Sequence, residues 1–536
     1  MKKFLLSAAM LSMAVSTFAQ VQWPDEGLLI RPEHKKEYGH EMAVDIYGNA
    51  WNWNYDVYSA AEDLYDQRIQ KVTPSGELPW GINGKSLCCY KNDSWTKCNT
   101  TFLPLSDGTM VVVIPDKRST DPVPQYPMAY YAYRLDQNGW SYWGNGIQLN
   151  DMHKAQGPVH VSMCELPDKS VVFAWEELTN DDMRYTICQQ RLTFDGKKMY
   201  DLDEMRSDDS KTLKWPTVVS DEHGGYFMVF GRTDSWYIYV QHYDAQGHAT
   251  WDAPQYITRQ SGWSGQPMWA QVNCCPSGDG NLLVYWRDSR ERGPMYPYLA
   301  YILQDGTSTF VNAAGTLDNL LSYAGLQTSS VRAIPDPDGS GFMTAFAQTI
   351  GSTDDQIVLQ RVNKDGELEF GDKGLVIKSG TNLYVTGLEL APGPKGQVAV
   401  CYLFSNTYDI DSRTICIELH DIKTGELIGN EPIFTFAPRR EIGDITFIKA
   451  PNDEFWMLNW LDAGAKGDKY YDSNQNQYIL RVNFDGTSVS KANDYINGIQ
   501  SISADENDEA IYNINGQRIA EPEGLYIKAG KKYMIK

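Results

Sequence analysis

Several features typical of enzymes and nucleic-acid-binding proteins are scarce in this 536-residue chain. It has only eight His and contains no H-E-x-x-H, G-x-S-x-G or clustered Cys/His spacing, so the common metalloprotease, serine hydrolase and zinc signatures are missing. Lys and Arg number 47 against 69 Asp and Glu, which gives a formal net charge of −22. Nucleic-acid binding needs a basic footprint that displaces phosphate counterions. We therefore predict no nucleic-acid partner, no cofactor and no metal.

Long hydrophobic runs are also missing, except at the start of the chain. Lys2-Lys3, an apolar run from Phe4 to Val15 and the small residue Ala19 are typical of a secretory signal peptide, which we place at residues 1–19. No other stretch approaches the ~20 apolar residues of a spanning helix. We expect an exported protein without a transmembrane segment, secreted or held at the outer-membrane surface.

What the chain does contain is a repeat. Eight strand-like segments end in similar turns, whose glycines are 51 to 63 residues apart: Gly76, Gly139, Gly196, Gly247, Gly306, Gly366, Gly425 and Gly486. So steady a period indicates one supersecondary unit repeated along the chain. Within residues 215–258, four short β-rich segments alternate with Gly/Asp turns. Four antiparallel strands per repeat are typical of a β-propeller blade, so the predicted fold is all-β.

The ends of the repeat region predict how the ring closes. Trp23–Ile30 matches the fourth-strand phrase of other repeats but has no first three strands before it, while the last repeat has a poor fourth strand. The N-terminal segment would then complete the last blade, which removes the exposed edges of an open array. We expect an eight-bladed propeller over residues 20–496. A seven-bladed ring and a linear array are the alternatives.

The nine cysteines are too few and too scattered for a disulfide scaffold. Cys164 and Cys275 each lie four residues before a turn aspartate, at the same point of two repeats, which favours a small apolar core position. Cys401 and Cys416 lie on neighbouring strands of one predicted hairpin and could pair across it. The state of two vicinal pairs stays open: Cys88-Cys89 and Cys274-Cys275.

The C-terminal residues differ from the repeats. After a polar linker at 497–510, residues 511–536 contain Tyr512-Asn513, Gly516-Gln517 and a final Gly530-Lys531-Lys532. This tail resembles the C-terminal sorting segment of secreted Bacteroidota proteins. The resemblance implies delivery to the cell surface by an export machinery, and the alternative is a small β tail without an address function.

The repeat itself is similar to an uncharacterised group of secreted Bacteroidota propeller proteins. The phrases that carry this similarity are Trp286–Arg290 and Gln360-Arg361. It implies no activity.

Candidate binding residues follow from the loop lengths. In a propeller the loops after the second strands and the loops between blades share one face, and here these are the long, variable ones. Aromatic and charged side chains in such loops suit a glycan or a protein ligand. The predicted ligand-binding residues are Glu176, Glu177, Arg232, Asp234, Trp236, Trp263, Arg287, Asp288 and Arg290. The alternative is structural: strand-end tryptophans such as Trp175 and Trp286 would fill wedges between blades, and the Arg/Asp pairs would join blades to each other.

These patterns favour a non-catalytic binding protein on the loop face. One alternative is a glycan-active hydrolase or lyase, in which Glu176-Glu177 and Asp234 would supply a carboxylate pair. Another is a component of envelope assembly. The turn-plus-tryptophan phrase ending at Trp143 and Trp251 also resembles the docking phrase of quinoprotein dehydrogenases, but it serves equally as a hairpin turn with a wedge tryptophan.

Overall fold

The computed structural model describes residues 27–30, 41–59, 64–87, 100–116, 129–150, 155–179, 185–201, 213–232, 237–259, 272–289, 294–311, 317–351, 354–406, 413–438, 441–462, 476–488 and the strands within 511–534. All regular secondary structure in these ranges is β. None of the described residues belongs to a helix long and apolar enough to cross a membrane.

The strands form an eight-bladed β-propeller, as predicted, and a small C-terminal sheet. Numbered along the chain, blade 1 is β2 (Met42–Val44), β3 (Ala50–Ser59), β4 (Leu64–Val72) and β5 (Lys85–Ser86); blade 2 is β6 (Thr101–Pro104), β7 (Met110–Asp116), β8 (Ala129–Leu135) and β9 (Ile147–Gln148); blade 3 is β10 (Ala155–Glu165), β11 (Val171–Thr179) and β12 (Tyr185–Leu192); blade 4 is β13 (Leu213–Ser220), β14 (Tyr226–Arg232), β15 (Tyr237–Tyr243) and β16 (Gln255–Arg259).

The second half of the ring repeats this order. Blade 5 is β17 (Asn273–Pro276), β18 (Leu282–Asp288), β19 (Tyr296–Ile302) and β20 (Asn319–Leu320); blade 6 is β21 (Gln327–Pro335), β22 (Gly341–Ile350), β23 (Asp354–Asn363) and β24 (Leu375–Ser379); blade 7 is β25 (Tyr384–Pro392), β26 (Gln397–Ser405), β27 (Thr414–Asp421) and β28 (Phe434–Phe436); blade 8 is β29 (Glu441–Lys449), β30 (Phe455–Asp462), β31 (Asn476–Asn483) and β1 (Leu28–Leu29). The C-terminal sheet, in the order β33-β32-β34-β35, is β32 (Ile511–Asn513), β33 (Arg518–Ile519), β34 (Leu525–Lys528) and β35 (Lys531–Met534).

The ring closes through the N-terminal strand. Leu28 pairs with Ile479 and Leu29 with Tyr478 in an antiparallel ladder, and the Ile30 N–H donates to the Gln477 carbonyl at 3.0 Å. This confirms that the predicted N-terminal segment forms the outer strand of blade 8. Of that segment, residues 23–26 lie outside the described ranges.

The repeated turns are hairpins between the third and fourth strands. All eight repeat glycines have φ between +71° and +88°, a region that residues with a Cβ avoid. The first turn residue also caps the turn: Asp136 Oδ1 accepts the N–H groups of Asn138 and Trp140, and Asn363 Oδ1 accepts those of Asp365 and Glu367. The local chemistry therefore explains why the phrase recurs.

On the face that carries the repeated turns, cationic side chains of the third strands donate hydrogen bonds to the next blade. Arg134 donates to Asp107 in its own blade at 2.6 Å and to the Lys169 carbonyl in blade 3 at 3.2 Å. Arg481 in blade 8 donates to the Pro74 carbonyl in blade 1 at 3.1 Å, across the closure. In blade 1 the corresponding cation is Lys71, which bonds to the Gln137 carbonyl of blade 2. Gln70-Lys71 therefore occupies in blade 1 the position that Gln360-Arg361 holds in blade 6.

The core lies between adjacent blades. One buried cluster joins Trp51 of blade 1 to Val112 and Tyr131 of blade 2, and the next joins Val113 of blade 2 to Phe173 of blade 3. The tryptophan after the repeated turn serves the same seam: Trp143 Nε1 donates to the Phe194 carbonyl of the next blade at 2.9 Å, and Trp251 Nε1 to that of Gln304 at 2.8 Å. These tryptophans are wedge residues.

The described cysteines are free thiols, and Cys164 is a buried core residue, as predicted. The suggested pairing of Cys401 with Cys416 is wrong. Cys416 lies opposite Tyr402 and Cys401 opposite Ile417, so the two thiols point to opposite faces of blade 7. They belong to two different core clusters. Cys274 and Cys275 are also unbridged, and Cys88-Cys89 lies outside the described residues.

Candidate functional site

β-Bulges recur where the inner strands begin. Blades 3, 4, 6, 7 and 8 each have a register shift near the first residues of the inner strand. In blade 3 the start of this strand, Ala155, pairs with Thr179 at the end of the second strand, so the bulges lie on the loop face. In each blade one residue donates the backbone N–H that closes the turn between the first and second strands. The residue six positions before that donor lies at the bulge in four blades: His160, Trp215, Ser330 and Gly387. Bulges are common next to functional sites, where they redirect side chains.

Two of these equivalent positions hold bulky residues in a left-handed backbone. His160 has φ +52° and Trp215 has φ +58°. Such a conformation costs about 1–2 kcal/mol for a residue with a Cβ. Their rings lie against each other across the boundary between blades 3 and 4, with centroids 3.4 Å apart and planes tilted by 40°. We call this contact the His160–Trp215 pair.

Glu176 supports the His160–Trp215 pair from β11. Its Oε2 accepts the backbone N–H of Trp215 at 2.9 Å, and its Oε1 lies 4.0 Å from His160 Nε2. The side chain is only 2% exposed. Burial raises the pKa of Glu176 to about 7, although the Trp215 N–H and Lys214 act in the opposite direction.

The pKa values of three neighbouring groups are also shifted. Burial, with help from Lys214, lowers the pKa of His160 to about 4, so its imidazole is neutral near pH 7. Burial lowers the pKa of Lys214 against the opposing effect of Glu176, and the Lys214 Nζ lies 3.4 Å from the centroid of the Tyr185 ring. Burial likewise raises the pKa of Tyr185. Near neutral pH the His160 imidazole is therefore uncharged and the Glu176 carboxyl is only partly ionised.

A cavity of about 270 Å³ opens beside the His160–Trp215 pair. Its walls come from the loop-face ends of the inner strands of blades 1 to 4, from β14 and β15 of blade 4, and from Val272 before blade 5, so it occupies the mouth of the central channel. We call it the channel-mouth cavity. It is lined by Glu41, Thr101, His160, Val161, Ser162, Trp215, Pro216, Thr217, Val229, Phe230, Gly231, Ile238 and Val272. Desolvation by the surrounding protein raises the pKa of Glu41 to about 7, although this residue still has a surface open to the channel.

Acids at the ends of the second strands occupy one repeated position. It lies seven residues after the residue whose carbonyl closes the turn between the first and second strands, and it holds four buried acids, of which Glu177 and Asp288 are predicted binding residues: Asp116, Glu177, Asp288 and Asp462. Glu177 Oε1 accepts the Trp175 indole N–H at 2.8 Å, and both residues are fully buried. In blade 5, the indole of buried Trp286 stacks on Tyr298. Trp175 belongs to the core cluster that joins blades 2 and 3, and Trp286 to the cluster that joins blades 4 and 5, so both indoles pack between blades.

Two of the predicted arginines, Arg232 and Arg287, lie on the loop face but not in the cavity lining. The Arg287 guanidinium donates to the Thr328 carbonyl of blade 6 at 3.0 Å, and that of Arg232 lies 5.2 Å from the centroid of the Tyr239 ring. Four predicted residues lie outside the described ranges: Asp234, Trp236, Trp263 and Arg290. Ligand binding by the predicted residues stays a prediction, and among those that the structure describes Glu176 contacts the His160–Trp215 pair.

Sequence reasoning missed His160, Glu41 and Gly231. A signal for this region exists once the repeats are aligned on the first turn. The position just before the acids then holds Pro115, Glu176, Gly231, Arg287, Ala347, Leu403 and Leu461. At this position four of the other blades hold an apolar residue and blade 5 holds Arg287, whereas blade 3 has the acid Glu176 and blade 4 has Gly231, which has no side chain. Among the described residues, no group of three His, Cys, Asp or Glu side chains is arranged to hold a metal ion.

No protein-family model matches the chain, and no curated protein matches it. Among solved structures, the prolyl oligopeptidase B of Galerina marginata is similar at 12% identity and a TM-score of 0.40, over 72% of this chain and 48% of that one. A Hadza microbial sialidase is similar at 11% identity and a TM-score of 0.32, over 66% and 72% of the two chains. A protein of unknown function from Dyadobacter fermentans is similar at 10% identity and a TM-score of 0.32, over 71% and 93%.

A puromycin hydrolase is also similar in structure. The chain spans about half the length of that hydrolase and of the oligopeptidase, covering 52% and 48% of them. Likeness at this level does not transfer an activity or a ligand to this chain.

Proposed function

We propose that this protein binds a neutral glycan, without turnover, in the channel-mouth cavity. The observation that carries the proposal is the His160–Trp215 pair, two aromatic side chains held in left-handed bulges at the wall of this cavity. Backbone strain of this kind persists only where the surrounding structure enforces it, and it concentrates at binding sites. An indole beside hydroxyl and carboxyl groups offers a flat apolar face and hydrogen-bond partners together, which suits a sugar ring.

The charge state of the cavity supports a neutral ligand. Near pH 7 the His160 imidazole is uncharged, and the pKa values of Glu41 and Glu176, both about 7, leave these carboxyl groups only partly ionised. No Lys or Arg belongs to the cavity lining in the described part of the chain. An anionic ligand would therefore meet no cationic side chain among the described lining residues. A polyhydroxylated ligand would find both donors and acceptors.

The size of the cavity limits the ligand to one end of a glycan. Its 270 Å³ is slightly less than the ~300–1,000 Å³ of pockets that enclose a drug-sized ligand. A terminal sugar would enter the cavity while the rest of the chain lies across the loop face.

Calorimetric titration with a panel of neutral oligosaccharides tests this proposal. We expect at least one to bind, and Trp215→Ala to weaken that binding tenfold or more while the unfolding midpoint shifts by only a few degrees. Trp140→Ala is the matched control, because Trp140 is 73% exposed and lies in a tight turn on the opposite face. Absence of binding across the panel, or equal losses in both variants, would refute the proposal. Binding of a protein at this surface would also refute it.

A second candidate function is glycan hydrolysis. It is favoured by two carboxyl groups with raised pKa values, Glu41 in the cavity lining and Glu176 beside the His160–Trp215 pair, because a general acid must stay protonated near working pH. A hydrolase would release sugar from the bound glycan, and Glu176→Gln or Glu41→Gln would abolish release while keeping the ligand bound. A binding protein would show no release in either form.

We further propose that the chain is exported through residues 1–19 and directed to the cell surface by residues 511–536. The strand-rich β32–β35 segment supports a compact C-terminal unit. Deleting 511–536 in the native host should leave the propeller inside the outer membrane. Unchanged surface display of the truncated protein would refute the sorting role.

A further inference from the structure

The channel-mouth cavity has a polar part and an apolar part. Glu41, Thr101 and His160 line it toward the channel axis. On the other side it reaches into the seam between blades 4 and 5, where the walls are apolar: Val229, Gly231, Ile238 and Val272. We call this second part the side pocket.

The side pocket exists because β14 has a glycine where other blades have larger residues. Gly231 pairs with Lys214 on one side and with Ile238 on the other, in the middle of blade 4. The equivalent residue is Leu403 in blade 7 and Leu461 in blade 8, and both are buried. Gly231 is not among the glycines with positive φ, so its backbone does not require glycine. The absence of a side chain at Gly231 therefore leaves room in the cavity and is not required by the backbone conformation.

The bulge at Trp215 exposes the side pocket to the rest of the channel-mouth cavity. The ladder between β13 and β14 breaks between Lys214 and Thr217. Pro216, within the break, has no N–H to donate to a ladder. Because the inner strand is lifted here, the second strand of blade 4 borders the cavity directly.

The same cavity also has a hydrogen-bond donor without a partner. Trp215 belongs to its lining, and the Trp215 indole N–H is buried and has no hydrogen-bond partner among the described residues. A buried donor left unsatisfied is destabilising, and an acceptor on a ligand would offset this cost after a small rotation of the ring. The channel-mouth cavity thus combines the apolar side pocket with an unsatisfied donor.

We propose that the side pocket receives the acetamido group of an N-acetylated amino sugar. The methyl group packs against Val229, Ile238 and Val272, and the carbonyl oxygen accepts the Trp215 indole N–H. A free ammonium group would be desolvated against these apolar residues, which disfavours the unacetylated amino sugar. This inference rests on the proposed function, since it names the sugar that the channel-mouth cavity selects.

Matched sugars that differ only at C2 of each ring, where one member carries an acetamido group and the other a hydroxyl, test the inference on the full-length protein. Chitotetraose and cellotetraose form one pair, and methyl glycosides of N-acetylgalactosamine and galactose form a second pair. By calorimetry we expect the N-acetylated member of at least one pair to bind tenfold or more tightly than its partner. Gly231→Leu, which installs the residue of blades 7 and 8, should reduce this preference to less than threefold while the parent sugar still binds.

A second variant, Val272→Thr, keeps the inference testable if Gly231→Leu does not fold. Val272→Thr keeps the shape of a partly buried side chain and adds a hydroxyl to the apolar wall, so it should also lower the preference. Equal affinity for both members of each pair, with both variants unchanged, would overturn the inference and leave glycan binding standing. Binding of no sugar at all would overturn both. A preference that survives in both variants, or one for a 6-deoxy sugar over both pairs, would overturn the inference alone.

Discussion

The carboxylate of Glu176 in blade 3 accepts the backbone N–H of Trp215 in blade 4 at 2.9 Å, so one buried acid holds the bulge of the neighbouring inner strand. The same relation recurs with opposite polarity in blades 5 and 6, where Arg287 donates to the Thr328 carbonyl at 3.0 Å. A side chain from the second strand thus reaches the start of the next inner strand in both places. In blades 3 and 4 this link borders the channel-mouth cavity.

The first prediction concerns the pH dependence of stability through Glu176. Its pKa is raised from the ordinary 4.5 to about 7 in the folded state, so the folded protein binds this proton more tightly than the unfolded chain does. The stabilising contribution is complete below about pH 4.5 and is lost as the pH rises through 7, by at most ~3 kcal/mol. Glu176→Gln keeps a hydrogen-bond acceptor but cannot ionise. Urea unfolding should show the variant gaining stability relative to wild type between pH 5 and pH 8. A difference that is the same at both pH values would contradict the raised pKa.

The second prediction concerns ring closure at Gly27. A Cβ at Gly27 would lie 2.5 Å from Cη2 of Trp460, and Gly27 has φ +82°. Gly27→Val should destabilise the propeller through both effects. Gly396→Val is the control, because Gly396 has φ +79° but open space around the added Cβ. Both variants should lose ~1–2 kcal/mol for the left-handed backbone, and Gly27→Val a further ~1–3 kcal/mol for overpacking. Denaturant titration measures this difference, and equal losses would argue against the closure contact.

The third prediction concerns the third-strand cation of blade 6. Arg361 donates to the buried Asp336 carboxylate at 2.7 Å and to Ser340 Oγ at 2.6 Å, and its side chain is 8% exposed. Arg361→Ala leaves Asp336 buried without its cation and should cost ~3–5 kcal/mol of the free energy of unfolding.

Arg332→Ala is the matched comparison for this third prediction. The Arg332–Glu389 pair is 2.9 Å long, but its members are 30% and 22% exposed. Its loss should cost ~1 kcal/mol or less. If the two alanine variants unfold at the same denaturant concentration, the buried pair does not act as proposed.

The fourth prediction concerns the blade 7 thiols. Because Cys401 and Cys416 point to opposite faces of one sheet, neither can reach the other without rearrangement of the blade. Alkylation of the denatured, unreduced protein should label both, as read by peptide mass spectrometry. Native protein should be labelled slowly, since both thiols are buried and burial raises their pKa values. A disulfide-linked peptide containing both residues would contradict the register.

The repeat makes the architecture predictable from the amino-acid sequence. Each turn phrase acts locally: a glycine allows positive φ, a capping side chain closes the hairpin, and the following aromatic residue wedges against the next blade. Because these effects depend on a few adjacent residues, eight copies predict eight blades. The unmatched Trp23–Ile30 phrase predicts the closure for the same reason. The cysteine pairing failed because neighbouring strands are not enough; the register decides which face a side chain takes, and a shift of one residue reverses it.

The candidate site is predictable only in part. Glu176 stands out as a charged residue at a strand end, but His160 resembles any residue near a blade-joining loop, and Gly231 any strand glycine. Their roles depend on two bulges, which bring the rings of His160 and Trp215 into contact, and on the packing of five blades around one cavity. The amino-acid sequence alone determined the repeating unit, its number and its closure, since short-range turn chemistry specifies these. Only the tertiary structure decided which side chains meet at the channel mouth, because residues far apart in the chain come together there only once the ring has closed.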